Sequence, residues 1–79
     1  MNENRTSVRR RVLKAGTIEF GGGAIDCKVR NLSETGAALE VESPIGIPQQ
    51  FRLVIASDSF SRPCEVVWLK EHRVGIIFL

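Results

Sequence analysis

The sequence of 79 residues contains no tyrosine, one histidine and two cysteines. Zinc sites usually combine Cys and His ligands at characteristic spacings, and neither Cys-x-x-Cys nor His-x-His occurs here. No pair of carboxylates and no nucleophile with a partner base stands out. These absences predict a protein that is not an enzyme and that uses no metal or cofactor.

Long apolar segments are also missing. No apolar run approaches the roughly 20 residues that a helix needs to span a bilayer, and the N-terminus lacks the apolar core of a secretory signal. We therefore expect a cytoplasmic protein without membrane insertion. Cys27 and Cys64 fall at apolar positions of alternating runs, which predicts buried free thiols. A disulfide would need an oxidising compartment, which nothing in the sequence indicates.

The charge is small but unevenly placed. The formal net charge is +2, and residues 1–11 contribute +3 of it, so the remainder carries −1. A protein that coats nucleic acid more often spreads positive charge over a face. A basic arm on a nearly neutral body instead favours one compact anionic ligand.

Strict alternation of apolar and polar residues predicts short strands. The expected strands cover residues 12–20, 24–30, 37–42, 50–56, 62–68 and 74–78. The positions predicted to face the core are Ile18, Phe20, Ile25, Cys27, Val29, Ala37, Leu39, Val41, Phe51, Leu53, Ile55, Cys64, Val66, Trp68, Val74, Ile76 and Phe78. This set is long enough to fill a small barrel and too short to enclose a ligand, so any ligand is expected on the outside.

The predicted fold is all-β: a small six-stranded antiparallel β-barrel with a flexible basic N-terminal arm and no C-terminal helix. Closure of the sheet would also remove the exposed edges that an open six-stranded sheet leaves. Residues 1–11 are expected to form the ligand-binding arm, mobile without ligand, and residues 12–79 the barrel.

Two polar motifs suggest where a ligand binds. Residues 31–36 read Asn-Leu-Ser-Glu-Thr-Gly between the second and third strands, and Asn31 and Ser33, two apart, should point to one face. Gly36 marks a turn or a close approach. Arg5 and Arg9, four apart, lie on one side of the chain. Taken alone, the arginines indicate a solvated basic tail, and the Asn-x-Ser pair indicates turn chemistry.

Together the motifs resemble those of the PilZ domain over essentially the whole chain. The residues that carry this resemblance are Arg5 and Arg9 (Arg-x-x-x-Arg), Asn31, Ser33 and Gly36 (Asn-x-Ser-x-x-Gly), and the runs at 66–68 and 74–78. PilZ domains are β-barrels, and many bind cyclic di-GMP, a bacterial second messenger. The resemblance therefore implies a receptor for cyclic di-GMP.

The resemblance also implies roles for individual residues. Arg5 and Arg9 would pair with phosphate and with the O6 and N7 edge of guanine, and Arg10 would add a third cationic contact. Asn31 and Ser33 would address the other guanine edge and the phosphate, and Gly36 would leave room for the ligand. Binding would order the arm and so change a surface for a protein effector.

Two alternatives remain. The first is a PilZ-like protein–protein adaptor without nucleotide binding. The second is a barrel that binds single-stranded nucleic acid, which is disfavoured because such surfaces usually carry exposed aromatic residues. The resemblance leaves it open whether one ligand or a stacked pair binds, because Asn4 stands where some relatives have another arginine. Many PilZ domains carry a helix after the last strand, whereas this sequence ends at Leu79.

Overall fold

The computed structural model describes residues 10–79, with side chains from Val12 onward, and Arg5 and Arg9 lie outside the described residues. Its strands are β1 (Arg10–Phe20), β2 (Gly23–Leu32), β3 (Gly36–Glu40), β4 (Gln50–Ile55), β5 (Phe60–Lys70) and β6 (Arg73–Phe78). They form a closed antiparallel barrel in the order β1-β2-β3-β6-β5-β4. One short 3-10 turn (Ala56–Asp58) joins β4 to β5. The predicted all-β barrel is therefore confirmed.

The interior of the barrel is entirely apolar in the described part of the chain. The buried hydrophobic residues are Ile18, Cys27, Val29, Leu39, Val41, Phe51, Leu53, Ile55, Cys64, Val74 and Ile76. All of them were predicted to face inward, and Phe20, Ile25, Ala37, Val66 and Phe78 pack against this core. Burying each large aliphatic side chain contributes roughly 1.5–3 kcal/mol, so the alternating pattern is also what stabilises the fold.

Trp68 is the exception to the inward prediction, because 47% of it is exposed. Val66 pairs with Ile76 and Trp68 pairs with Gly75, so Val67 is an extra residue in β5. A bulge of this kind shifts the register and sends the next side chain to the other face. The prediction that Trp68 faces the core was wrong for that reason.

Several strands differ in length from the prediction. β1 begins at Arg10, two residues early, because Arg10 pairs with Leu32 of β2. β2 runs through Leu32 and β3 begins at Gly36, so only residues 33–35 remain as the turn. Backbone pairing extends the strands into polar stretches that carry no hydrophobic alternation.

Closure removes the edges that an open sheet would leave, but one stretch of β2 still extends past its second neighbour. β2 pairs with β3 only from Lys28 to Leu32, although it pairs with β1 along its whole length. Residues 23–27 therefore have a strand neighbour on one side only. The cause is the unequal length of the strands, since β2 has 10 residues and β3 has 5.

Two ion pairs tie neighbouring elements together on the surface. Lys14 Nζ lies 2.6 Å from Asp58 Oδ2, and Arg30 Nη1 lies 2.7 Å from Glu40 Oε1. The hydrogen bond from Lys14 lowers the pKa of Asp58, and the hydrogen bond from Arg30 lowers the pKa of Glu40. Both pairs are solvent-exposed, where such interactions contribute little to stability.

Candidate functional site

The start of β1 lies beside the turn between β2 and β3. Arg10 pairs with Leu32 and Arg11 pairs with Asn31. The chain that precedes β1 therefore joins the barrel next to the Asn-x-Ser-x-x-Gly motif. This register fixes the attachment point of the arm, while the predicted contacts of Arg5, Arg9 and the Arg10 side chain fall outside the described part of the structure.

Ser33 organises the turn itself. Its backbone N–H donates to the Gly36 carbonyl at 2.9 Å. Its Oγ accepts the N–H of Thr35 at 3.3 Å and the N–H of Gly36 at 3.2 Å, and lies 3.2 Å from the Gly36 carbonyl, to which it can donate. The turn chemistry considered for Ser33 is thus present. Both acceptor positions of the hydroxyl are occupied, so only its proton can be redirected to a ligand.

A row of paired residues runs across the outer face of the barrel from this turn. Asn31 pairs with Ala38, Ala38 with Gly75, and Gly75 with Trp68. Directly opposed residues on neighbouring strands share one face of a sheet. Two small residues therefore form a floor between the Asn31 amide and the Trp68 indole.

We call this depression the turn cleft, and its volume is about 180 Å³. Asn31, Ser33 and Gly36 all line it. Asn31 and Ser33 therefore lie at the same cleft, while the prediction that both side chains point to one face stays a prediction. Within residues 10–79 no hydrogen bond joins the Asn31 amide to the backbone of the turn, whereas the Ser33 hydroxyl makes such bonds. The Asn31 side chain therefore does not cap the turn.

Two glycines hold the walls of the turn cleft close together. A methyl group on Gly75 would overlap the Trp68 indole, so the ring lies against the backbone of β6. A methyl group on Gly36 would overlap the carbonyl oxygen of Ile76. The close approach predicted at Gly36 is therefore that of β6, and its proposed role in leaving room for a ligand stays a prediction.

Two residues of the turn cleft were missed as candidates from the sequence. Trp68 forms one wall, and a glycine inside a strand, here Gly75, is the available signal that something packs closely on the backbone. Thr35 is exposed, lines the cleft, and places Oγ1 3.3 Å from Ser33 Oγ. The signal for this residue was its hydroxyl, which the motif places two positions after Ser33.

The turn cleft carries no charge of its own. Every residue that lines it within the described range is apolar or a neutral amide, hydroxyl or indole. The nearby Arg30 forms an ion pair with Glu40. Across residues 10–79 there is also no group of three His, Cys, Asp or Glu side chains able to hold a metal ion. An anionic ligand at the cleft would therefore need its countercharge from another part of the chain.

The sequence matches the family model of the PilZ domain over residues 3–79, and the chain therefore belongs to the PilZ domain family. PilZ domains are binding and adaptor domains rather than enzymes, and the family is one of cyclic di-GMP receptors. No curated protein matches the sequence. Within residues 10–79 no helix is long and apolar enough to cross a membrane.

Proposed function

We propose that this PilZ domain binds cyclic di-GMP at the turn cleft and acts as a second-messenger receptor. The observation that supports this proposal most is the register of β1 and β2, which attaches the basic arm beside a neutral cleft. The arm carries the charge that the cleft lacks, and the cleft carries the shape and hydrogen-bonding groups that the arm lacks.

The chemistry of the two parts is complementary to a cyclic dinucleotide. Guanidinium groups of Arg5 and Arg9 pair bidentately with phosphate and with the O6 and N7 edge of guanine, and Arg10 adds a third cation. The Asn31 amide supplies both a donor and an acceptor for a base edge. The half-exposed Trp68 indole offers an aromatic face against which a base can stack.

The size of the turn cleft limits what it can hold. Its volume of about 180 Å³ is below the roughly 300–1,000 Å³ of pockets that enclose a whole small molecule. The cleft therefore holds one part of the ligand in this proposal, and the remainder lies on the outer surface under the arm. This agrees with the expectation that a ligand binds outside a filled barrel.

Ser33 can contribute without loss of the turn. Its proton can turn from the Gly36 carbonyl to a ligand phosphate, and that carbonyl still accepts the Ser33 N–H at 2.9 Å. The two N–H groups that donate to Ser33 Oγ keep their partner during this exchange. The change therefore leaves no polar group of the turn unsatisfied, and such groups are costly when they lack a partner.

In this proposal the arm is the switch. The charge-assisted hydrogen bonds between the arginines and the ligand form only when the arm lies over the turn cleft, so the ligand favours that position. The ordered arm then covers or exposes barrel surface for a protein effector. The adaptor without nucleotide affinity remains the alternative, and it needs the same barrel without the ligand-dependent step.

The emission of Trp68 provides a test, because the sequence contains one tryptophan. We expect cyclic di-GMP to change this emission in a saturable manner. Replacing both Arg5 and Arg9 with alanine should remove the change, while Arg52→Ala, which alters an exposed arginine on β4, should retain it. Unchanged binding after loss of both arm arginines would show that the proposed site is wrong.

A further inference from the structure

Four strand segments of at least four residues in the described barrel have a neighbour on one side only. They are residues 10–16 of β1, 23–27 of β2, and 60–63 and 66–70 of β5. Such segments present unpaired N–H and C=O groups that can pair with another chain. Proteins usually protect them with bulges, prolines or lysines.

Three of these segments carry such protection. The segment in β1 has a register shift between Arg11 and Lys14 and contains that lysine. The first segment of β5 contains Pro63, whose carbonyl accepts the N–H of Leu79. The second contains the bulge at Val67, and at the preceding residue Gln49 bonds the Val66 backbone through its own backbone and side chain.

The segment of β2 carries none of these devices. Its pairing with β1 is regular from Val29 back to Gly23, without a bulge. Residues 23–27 read Gly-Ala-Ile-Asp-Cys, with no proline and no lysine, and Asp26 is the one charged residue. The backbone along this edge is therefore regular, extended and open on one side.

An open groove lies along the same edge, and we call it the edge groove. It is lined by Ile25, Asp26 and Lys28 of β2 and by Glu42, Ser43 and Ile45 of the segment after β3, and it extends over residues 15–17 of β1. Its volume is about 1150 Å³, above the roughly 1,000 Å³ upper range of small-molecule pockets. Ile45 is 85% exposed at its rim, which gives the groove an apolar contact on the side away from β2.

The charge of the edge groove favours a basic occupant. The lining contains three acidic residues, Asp26, Glu40 and Glu42, and two basic residues, Lys28 and His72. Glu40 is paired with Arg30. Among the side chains that the structure describes, from Val12 onward, neither Asp26 nor Glu42 has an ion-pair partner. Two carboxylates, one on β2 and one in the segment after β3, are therefore available there to a cationic side chain.

We propose that residues 23–27 of β2 accept an extended, basic segment of a protein partner, which adds a strand to this edge. Backbone hydrogen bonds supply affinity in such additions, and alternate side chains supply specificity. Apolar residues of the segment contact Ile25 and Ile45, and its lysines or arginines face Asp26 and Glu42. The eight residue steps from Ile25 to Ser33 span roughly 27 Å of extended chain, and the two sites share no lining residue, so this site is separate from the turn cleft and does not rest on nucleotide binding.

The test uses a defined probe, the peptide Lys-Val-Lys-Val-Lys-Val with blocked ends, and amide spectra of the whole chain. We expect it to shift alternate amides of residues 23–27 and to slow their hydrogen exchange. The matched peptide with glutamate in place of lysine should bind at least about tenfold more weakly, because its charges oppose those of the groove. A lysine peptide with N-methylated backbone should lose most of the binding.

Two charge-matched variants locate the interaction. Asp26→Lys should weaken binding of the lysine peptide by roughly tenfold, and Glu19→Lys, on the neighbouring strand outside the groove, should leave it nearly unchanged. The proposal is overturned if no edge amide shifts, if the N-methylated peptide binds equally well, or if the two variants behave alike. Protection of the edge that rises with protein concentration without peptide would identify a second copy as the occupant and would also overturn it.

Discussion

The two ends of β2 present different kinds of surface. At the Leu32 end, β2 is paired on both sides and Ser33 bonds the backbone groups of the turn. Contacts to a ligand must therefore come from side chains and from the nearby arm. At the Gly23 end, one side of the backbone has no strand partner, so the main chain itself is available. A barrel of this size can therefore offer two unlike binding surfaces on one strand.

Gly36→Ala should have the largest effect, because the added methyl group would overlap the Ile76 carbonyl, and backbone cannot move aside as a side chain can. We expect a loss of about 3 kcal/mol in the free energy of unfolding, at the upper end for overpacking. Urea unfolding measures it. Gly22→Ala is the control, since nothing lies near its Cβ position, and equal stability of the two variants would refute the packing account of the turn cleft.

Arg5→Ala and Arg9→Ala should each weaken cyclic di-GMP binding by about 1.5–3 kcal/mol, the range for hydrogen bonds to charged groups. Neither change should alter the free energy of unfolding by more than about 0.5 kcal/mol, as is usual for substitutions away from packed features. Calorimetric titration and urea unfolding of the same samples separate the two quantities. If a variant loses stability instead of affinity, its arginine stabilises the fold and does not bind the ligand.

Alkaline pH should destabilise the barrel through its thiols. Burial is the main cause that raises the pKa of Cys27 and of Cys64 from 9.0 to about 11. The stabilising contribution is therefore complete below pH 9 and is lost as the pH rises towards 11, by roughly 2 kcal/mol per thiol. Unfolding measured between pH 8 and 11 should show this decrease, and a variant with alanine at both positions should lack that part of it.

Ser33→Ala should have a smaller effect than loss of an arm arginine. It removes the hydroxyl that bonds two N–H groups of the turn, which costs about 1 kcal/mol in stability, and it should reduce ligand affinity less than the arginine changes do. Thr35→Ala is the matched control for a hydroxyl in the same turn. If Ser33→Ala abolished binding while stability was unchanged, the hydroxyl would be a principal ligand contact rather than mainly a turn residue.

Glu71→Gly should give the smallest effect and the opposite sign. Glu71 has a φ of 55° in the turn between β5 and β6, a conformation that glycine adopts without steric cost. We expect a gain of about 0.5 kcal/mol in thermal or urea unfolding. Lys70→Gly, inside β5, should instead reduce stability, and a loss in both variants would show that the Glu71 conformation carries no strain.

The alternation of side chains was sufficient to predict the core and the six strands. Ile18, Leu53 and Val74 are fully buried because a period of two places one face of every strand inside a barrel. The order of the motif along the chain likewise brought Asn31, Ser33 and Gly36 to one cleft. These features depend on local periodicity, which a single sequence contains.

Features that depend on pairing between distant strands could not be predicted. The bulge at Val67 turns Trp68 outward, and nothing in the run Val-Val-Trp shows where an extra residue enters the ladder. The open edge of residues 23–27 follows from the short length of β3 and from where its pairing with β2 ends. The close approach at Gly36 is likewise that of a β6 carbonyl, Ile76, forty residues away, which no local motif reveals.

The most direct test of the central claim is calorimetric titration of the whole chain with cyclic di-GMP, with GTP and linear GpG as controls. We predict binding at micromolar concentration or tighter for the cyclic ligand alone, with a stoichiometry that shows whether one ligand or a stacked pair is held. No heat and no ligand-dependent change in thermal stability would contradict the receptor account. The adaptor would then be the better description of this PilZ domain.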